Sequence, residues 1–274
     1  MTMLLRHLWR HIVVLLLGVV TVWLIVFVVF QVTDNTLPWI LAVAVTYGLA
    51  AYVILPRAIR MGLKVLHRQH VPQYTTTGDG LPADPVNIAL IGTLPQLRAA
   101  FAAIGWTEAD RLGVVSSWRM ARAFVLNKPY PSAPFSTLFL FGRGQDIGFQ
   151  MAIDDSPRKR HHVRFWSISQ SAALNTLDTP GFWLNTDRPP DDEQALWVGA
   201  ATRDTGFSLT WLTFQITHAT AADTNAEREF VLSELQGKKL IGEVTFHDER
   251  SELPSKRVNR YVFDGDVGVA PLIG

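Results

Sequence analysis

Two stretches of the chain, Ile12 to Phe30 and Leu37 to Leu55, are apolar almost without interruption, and neither holds a charged side chain. Each has about 19 residues, and at 1.5 Å rise per residue a helix of that length covers roughly 30 Å, the thickness of bilayer hydrocarbon. The polar insert Gln31–Thr36 is too short to leave a membrane surface. The pattern therefore predicts a tight two-helix transmembrane hairpin within residues 1–56, with spans at about 12–30 and 37–55. A cleaved signal peptide is the competing reading. It fits poorly, because the first run is longer than a signal core, no small-residue cleavage site follows Phe30, and a second run comes at once.

Past the second run, Ile59, Leu63 and Leu66 recur on one side of a basic segment, which predicts an amphipathic juxtamembrane helix. Residues 71–85 are rich in Pro, Thr and Gly without periodicity and read as linker, so 57–85 is taken as helix plus linker. A domain spanning 86–274 follows. Val86 to Ile91 reads as a strand closed by Gly92, and Thr93 as the cap of a helix carrying Leu94, Leu97, Phe101 and Ile104, stopped by Gly105. A second helix is expected from about Leu112 to Leu126. Thr137 to Phe141 and the alternating run Ile147 to Ile153 predict a β-hairpin turning through Gly142 to Asp146. Further strands are expected at 160–168, 195–201, 208–216, 240–247 and 258–263, with a helix at about 225–236 and a polar surface excursion over 169–193. Strands in runs with helices near both ends indicate an α+β domain around one mixed β-sheet.

Charge orients the hairpin. Arg6 and Arg10 precede the first run, Arg57, Arg60, Lys64 and Arg68 follow the second, and the loop between carries only Asp34. Basic residues stay on the cytoplasmic side, so both termini are expected there, in a two-pass membrane protein. Residues 1–70 hold six basic residues and one acidic residue, hence +5; the remaining 19 basic and 23 acidic residues give −4. The basicity thus belongs to the membrane flanks, and a nucleic-acid binder is not indicated. With no cysteine, disulfides, thiolate metal sites and a Cys nucleophile are excluded.

The densest chemistry lies in Ser156-Pro-Arg-Lys-Arg-His-His-Val-Arg-Phe-Trp166. On a strand, alternation places His161, Val163 and Phe165 on one face and Arg160, His162, Arg164 and Trp166 on the other. Two guanidinium groups flanking an imidazole match the paired acceptors of phosphate or carboxylate. Arg158, Arg160, His162, Arg164 and Trp166 are therefore the candidate ligand-binding set, against the plainer reading of a solvated basic face. Neighbouring His161 and His162 diverge on a strand, so no metal or cofactor is expected on them. A second group comprises His218, Asp223 and Glu227, with Asp204 upstream; two carboxylates and an imidazole could handle a proton. The plainer reading is a capping box, Thr224-Asn-Ala-Glu227, opening a helix. There is no nucleophile elbow and no phosphate-binding loop of the Gly-x-x-x-x-Gly-Lys type.

With Pro85-Val-Asn-Ile-Ala-Leu-Ile-Gly-Thr93, Ala103-Ile-Gly-Trp-Thr107, Lys128-Pro-Tyr-Pro131, Leu140-Phe-Gly-Arg143, Gln145-Asp146, the 156–166 block, Trp197-Val-Gly-Ala-Ala-Thr202 and the His218 to Arg228 stretch, the soluble portion resembles the LssY C-terminal domain family over about Val86 to Asp264. Ala219 stands where the resemblance leads one to expect a second histidine, which counts against a metal site there. Proteins of this kind are often fused to lipid-phosphate phosphatase or DedA-like modules. The resemblance implies a bacterial membrane-envelope role, linked to phospholipid or isoprenoid-phosphate handling, without an established activity.

The expectation is a membrane-anchored, accessory protein whose cytoplasmic domain binds an anionic lipid, a phosphate-containing ligand or a membrane-protein partner at the inner leaflet. The alternative is a phosphate-ester hydrolase in which His162 is proton donor or nucleophile, the arginines hold phosphate, and His218 and Asp223 assist.

Overall fold

A computed structural model describes residues 3–66, 71–78, 80–126, 128–154, 156–169, 188–209, 216–248 and 261–274. Helix α1 (Met3–Trp23) runs through a wider-wound segment, Leu24–Phe30, into α2 (Gln31–Thr36). The six residues expected to form a loop are thus helical. Thr33 and Thr36 return their hydroxyls to carbonyls four residues back, and the helix stops where Leu37 turns extended ahead of Pro38. Helix α3 (Trp39–Leu49), the segment Ala50–Ile54 and α4 (Leu55–Leu66) return alongside, α3 against α2 and α4 against α1. Thr33 and Thr46 share a buried 2.8 Å hydroxyl contact between the two rods. Among the described residues one helix, Leu8–Thr36, is long and apolar enough to cross a membrane, and Trp39–Leu49 is a shorter apolar helix.

The remainder is a mixed α+β domain. Its strands are β1 (Tyr74–Thr76), β2 (Pro82–Pro85), β3 (Ile88–Gly92), β4 (Thr107–Glu108), β5 (Phe139–Leu140), β6 (Arg143–Gly144), β7 (Ile147–Ile153), β8 (Ser156–Ser169), β9 (Ala195–Leu209), β10 (Ile216–Thr220), β11 (Thr245–Asp248) and β12 (Asp266–Pro271). Its helices are α5 (Leu94–Ala103), α6 (Val114–Val125) and α7 (Thr224–Gly237). Rather than one sheet there are two. The larger runs β11-β12-β3-β9-β8-β7-β4 with β10 beside β9, mixed because β12 pairs parallel to β3; the smaller runs β2-β1-β5-β6.

The stretch read as linker therefore contributes two paired strands, Tyr74 opposite Pro85. Two of its three prolines, Pro82 and Pro85, sit in β2, at the edge of the small sheet, where a missing N–H costs no ladder bond. The predicted hairpin is also repartitioned. β5 turns onto β6 through Phe141 and Gly142, both at positive φ, and β7 leaves for the large sheet, where it pairs with β8. β12 was not foreseen. The expected strand at 208–216 and excursion at 169–193 fall largely on residues 210–215 and 170–187, outside the described residues, as do 258–260 of the strand expected at 258–263.

Each face of the large sheet is covered. Helices α5 and α7 press Leu97, Phe101, Val231, Leu232 and Leu235 onto Ile88, Phe149, Val163 and Phe165. Thr93 caps α5 in a reciprocal box with Gln96, as its sequence predicts. On the other face, Ala83, Val86, Leu138 and Leu140 of the small-sheet layer meet Trp166, Val198 and Ala200. β8 is thus buried front and back, which decides what its charged side chains can do.

Candidate functional site

Strand alternation is obeyed along β8: His161, Val163 and Phe165 face the helices, while Arg160, His162, Arg164 and Trp166 face the small-sheet layer. The second row is not a solvated basic face. Arg160, His162 and Arg164 retain 4%, 2% and 5% exposure, because the small-sheet layer and the loop at Ala133–Phe135 lie over them. An arginine in such a place requires a partner, since an isolated buried charge is far too costly.

Two carboxylates supply it. Arg160 Nε donates to Asp204 Oδ2 at 2.9 Å, from the position directly opposite on β9. Arg164 Nη1 donates to Asp84 Oδ2 at 2.6 Å, and Tyr261 Oη donates to Asp84 Oδ1 at 2.8 Å. Arg160 Nη1 also reaches Gln150 Oε1 at 2.7 Å, while Gln150 Nε2 donates to the Ala133 carbonyl. Among the described residues, two arginines stand against two aspartates, so their charges balance. Burial pushes the Arg160 guanidinium below its ordinary value, with Asp204 pulling the other way.

His162 is clamped between them. Its Nε2 lies 2.7 Å from Arg164 Nη1, which can only donate, and 2.8 Å from Thr202 Oγ1. Nε2 is therefore the acceptor, which leaves Nδ1 to carry the ring proton, 3.6 Å from Asp204 Oδ2. Phe135 roofs the row, with the two guanidinium carbons 5.0 and 4.9 Å from its ring centre and the imidazole 5.2 Å away. Gly148 admits that ring: a Cβ there would lie 2.3 Å from Phe135 Cε2. Arg164 Nε is buried without a hydrogen-bond partner among the described residues. Trp166 is fully buried, its indole N–H donating to the Arg143 carbonyl.

The second predicted group is dispersed. Asp223, not Thr224, caps α7: its Oδ1 accepts from the N–H groups of Asn225 and Ala226. Glu227 does not close a capping box. It is 4% exposed and holds His161 Nδ1 at 2.9 and 3.0 Å, on the helix-covered face opposite His162. The His161 ring also stacks on Phe230 at 4.3 Å. An acid in the first turn of a helix would ordinarily reach back to the cap; here the partly buried imidazole of His161 competes for it. His218 lies opposite Phe207 in the β10–β9 ladder, but its side chain is outside the described residues, as is that of Arg158. Among the described residues no group of three or more His, Asp or Glu is placed to hold a metal ion.

Sequence reasoning missed Asp84, Gln150, Thr202, Tyr261 and Phe135. An accounting rule would have pointed toward the first: two arginines on a strand with apolar neighbours demand two acids, and Asp204 supplies one.

The chain matches one family model, described as LssY C-terminus, over residues 68–267. No curated protein and no solved structure matches it.

Proposed function

Since this chain belongs to the LssY C-terminus family, we propose that it is a two-pass protein of a bacterial inner membrane, with both termini cytoplasmic and an accessory α+β domain working at the inner leaflet. The carrying observation is the helix Leu8–Thr36, whose most apolar window is only 6% buried by the protein itself. Side chains such as Leu15, Val19, Val20 and Phe27 are left half to two-thirds bare, and in water that apolar surface would have no partner. The returning rod, with Arg57 and the other basic residues after it, supports the second span and the orientation. The test is protease access. Added trypsin leaves the domain intact in right-side-out spheroplasts and removes it in inverted vesicles, and alkaline carbonate leaves the chain in the membrane. Digestion in spheroplasts, or release by carbonate, refutes the assignment.

For the β8 row we favour an internal role: Arg164 ties the large sheet to the small-sheet layer through Asp84, and Arg160 stitches β8 to β9 within the large sheet through Asp204. A phosphate-bearing ligand would reach Arg160, His162, Arg164 and Trp166 only by replacing one of those carboxylates as counter-ion. Phosphate titration of the full-length protein separates the two. Thermal stabilisation that vanishes in Arg164→Gln is what ligand binding requires, and no shift is what an internal network requires. The hydrolase reading gains less support, because His162 Nε2, the atom that would attack or deliver a proton, already accepts from Arg164.

A further inference from the structure

Helix α6 leaves an apolar stripe bare on the side away from its covered positions. Ser116, Met120 and Ala123 are its covered positions, whereas Val114, Trp118 and Ala121 form a stripe at i, i+4, i+7 on the opposite side. Val114 is 90% exposed and Trp118 72%, and Leu112 and Leu126 extend the bare surface at both ends. A stripe of this kind is what an ordinary amphipathic helix buries against its own domain. Side chains of this size gain substantially from leaving water. A partner is therefore implied, and the surrounding charge says which kind.

Arg111, Arg119 and Arg122 are all exposed, and the two on the helix share one flank of the stripe. Residues 110–128 hold four basic residues and one acid, Asp110, hence +3, although the chain beyond residue 70 is net acidic. Asp110 accepts the Tyr130 hydroxyl at 2.6 Å, and that hydroxyl also meets Arg119, so this one acid is already counted in the +3. A bare stripe centred on tryptophan with arginines along its edge is the composition of a helix lying in the head-group region of an anionic bilayer. Tryptophan favours that depth because one end of its ring is apolar and the other donates a hydrogen bond.

We propose that α6 is a second membrane contact, seated on the inner leaflet with Val114, Trp118 and Ala121 among the acyl-chain ends and Arg111, Arg119 and Arg122 on anionic phosphates. This rests on the anchored reading above, since the helical rods hold the domain within reach of that leaflet and raise the effective concentration of its surface. The occupant is lipid, and its recognition is by charge density and apolar area, without a shaped head-group pocket.

The absence of cysteine makes the test direct. The full chain is prepared as Val114→Cys, Ala121→Cys and Val20→Cys, each labelled with an environment-sensitive fluorophore and placed in nanodiscs of phosphatidylcholine with or without phosphatidylglycerol. Two quenchers are used, a nitroxide carried on lipid and iodide in the buffer. In mixed discs the labels at 114 and 121 shift to the blue, are quenched by the lipid nitroxide and are shielded from iodide. The effect is lost in pure phosphatidylcholine, in the Arg111→Gln, Arg119→Gln, Arg122→Gln triple variant, and as salt shortens the screening length from about 10 Å at 0.1 M to about 3 Å at 1 M. Labels at 114 and 121 that stay open to iodide overturn the proposal, as does shielding without lipid quenching, which would mean a protein partner or a second copy. The label at Val20 reads the anchor separately: lipid quenching there with none at 114 and 121 removes the surface contact alone, and none at Val20 removes the anchor.

Discussion

Replacing Asp204 by Asn tests the balanced cluster most directly. The substitution keeps shape and volume but removes the charge that Arg160 faces at 2.9 Å and that lies 3.6 Å from His162 Nδ1. Arg160 would keep Gln150 Oε1, a neutral acceptor, and would remain a cation at 4% exposure. Breaking a buried ion pair from one side costs about 3–5 kcal/mol, because the surviving charge is left in a poor solvent. For a domain of this size about 1 kcal/mol moves the melting temperature by roughly 2–4 °C, so the transition should fall by roughly 6–20 °C. The companion is Arg160→Met with Asp204→Leu, which removes both charges. It should recover most of the loss, since replacing a buried pair by apolar groups is often close to neutral. Unfolding of the full chain in nanodiscs, followed by tryptophan fluorescence, measures Asp204→Asn and the cycle of wild type, Arg160→Met, Asp204→Leu and the double variant. A single variant within about 1 kcal/mol of wild type, or a coupling energy below about 0.5 kcal/mol, would refute the assignment of Asp204 as the counter-ion.

Three smaller effects follow from the same structure. Arg228 grips Asp264 with two hydrogen bonds of 2.9 Å and holds its carboxyl below the ordinary range. A group depressed on folding stabilises above its unfolded pKa and loses that contribution as pH falls through the folded value. Asp264→Asn should therefore lower stability at neutral pH, with wild type and variant converging in acid; a constant gap across the titration contradicts the pairing. Gly148→Ala should cost about 1–3 kcal/mol by driving a methyl group into Phe135, which is itself buried, and an unchanged denaturation midpoint would show that the roof can shift. Thr33→Val removes the hydroxyl contact to Thr46 between the apolar rods and should cost only about 0.6 kcal/mol in steric-trap unfolding, since such bonds in membranes are weak on average.

Local pattern was legible and partnership was not. The alternation of the 160–166 segment divided its side chains correctly between two faces, because a strand's period of two is set by the backbone alone. What those faces meet depended on Asp84, 80 residues upstream of Arg164, and on Tyr261, 177 residues from Asp84. The hairpin expected at 137–153 failed for the same reason: alternation in Ile147 to Ile153 marks a strand without saying which neighbour it takes, and Arg164, opposite Gly148, offered a longer ladder than β5 could. β1 and β2 were hidden by Pro82 and Pro85, which deter a strand assignment everywhere except at an edge. The Thr93 cap and the Gly105 stop, by contrast, need nothing beyond a few adjacent residues.

Arginine in this chain serves two opposite ends, and burial distinguishes them. Arg160, Arg164 and Arg228 are each 4–5% exposed and answer an aspartate within hydrogen-bonding distance, so their fields close inside the domain. A cation so compensated projects little outward and does little to draw the domain toward an anionic surface. Arg111, Arg119 and Arg122 remain exposed beside bare Val114 and Trp118, and the acid nearest them in sequence, Asp110, is a single exposed carboxylate that shares the Tyr130 hydroxyl with Arg119. Attraction to lipid scales with uncompensated charge near the surface, about 1 kcal/mol per basic residue, plus the apolar area it brings into contact. Within the proposal above, the buried arginines of the 156–166 segment, Arg160 and Arg164, are therefore the weaker candidates for drawing this domain onto a membrane. α6, with fewer charges but none neutralised by a buried acid, is the better one.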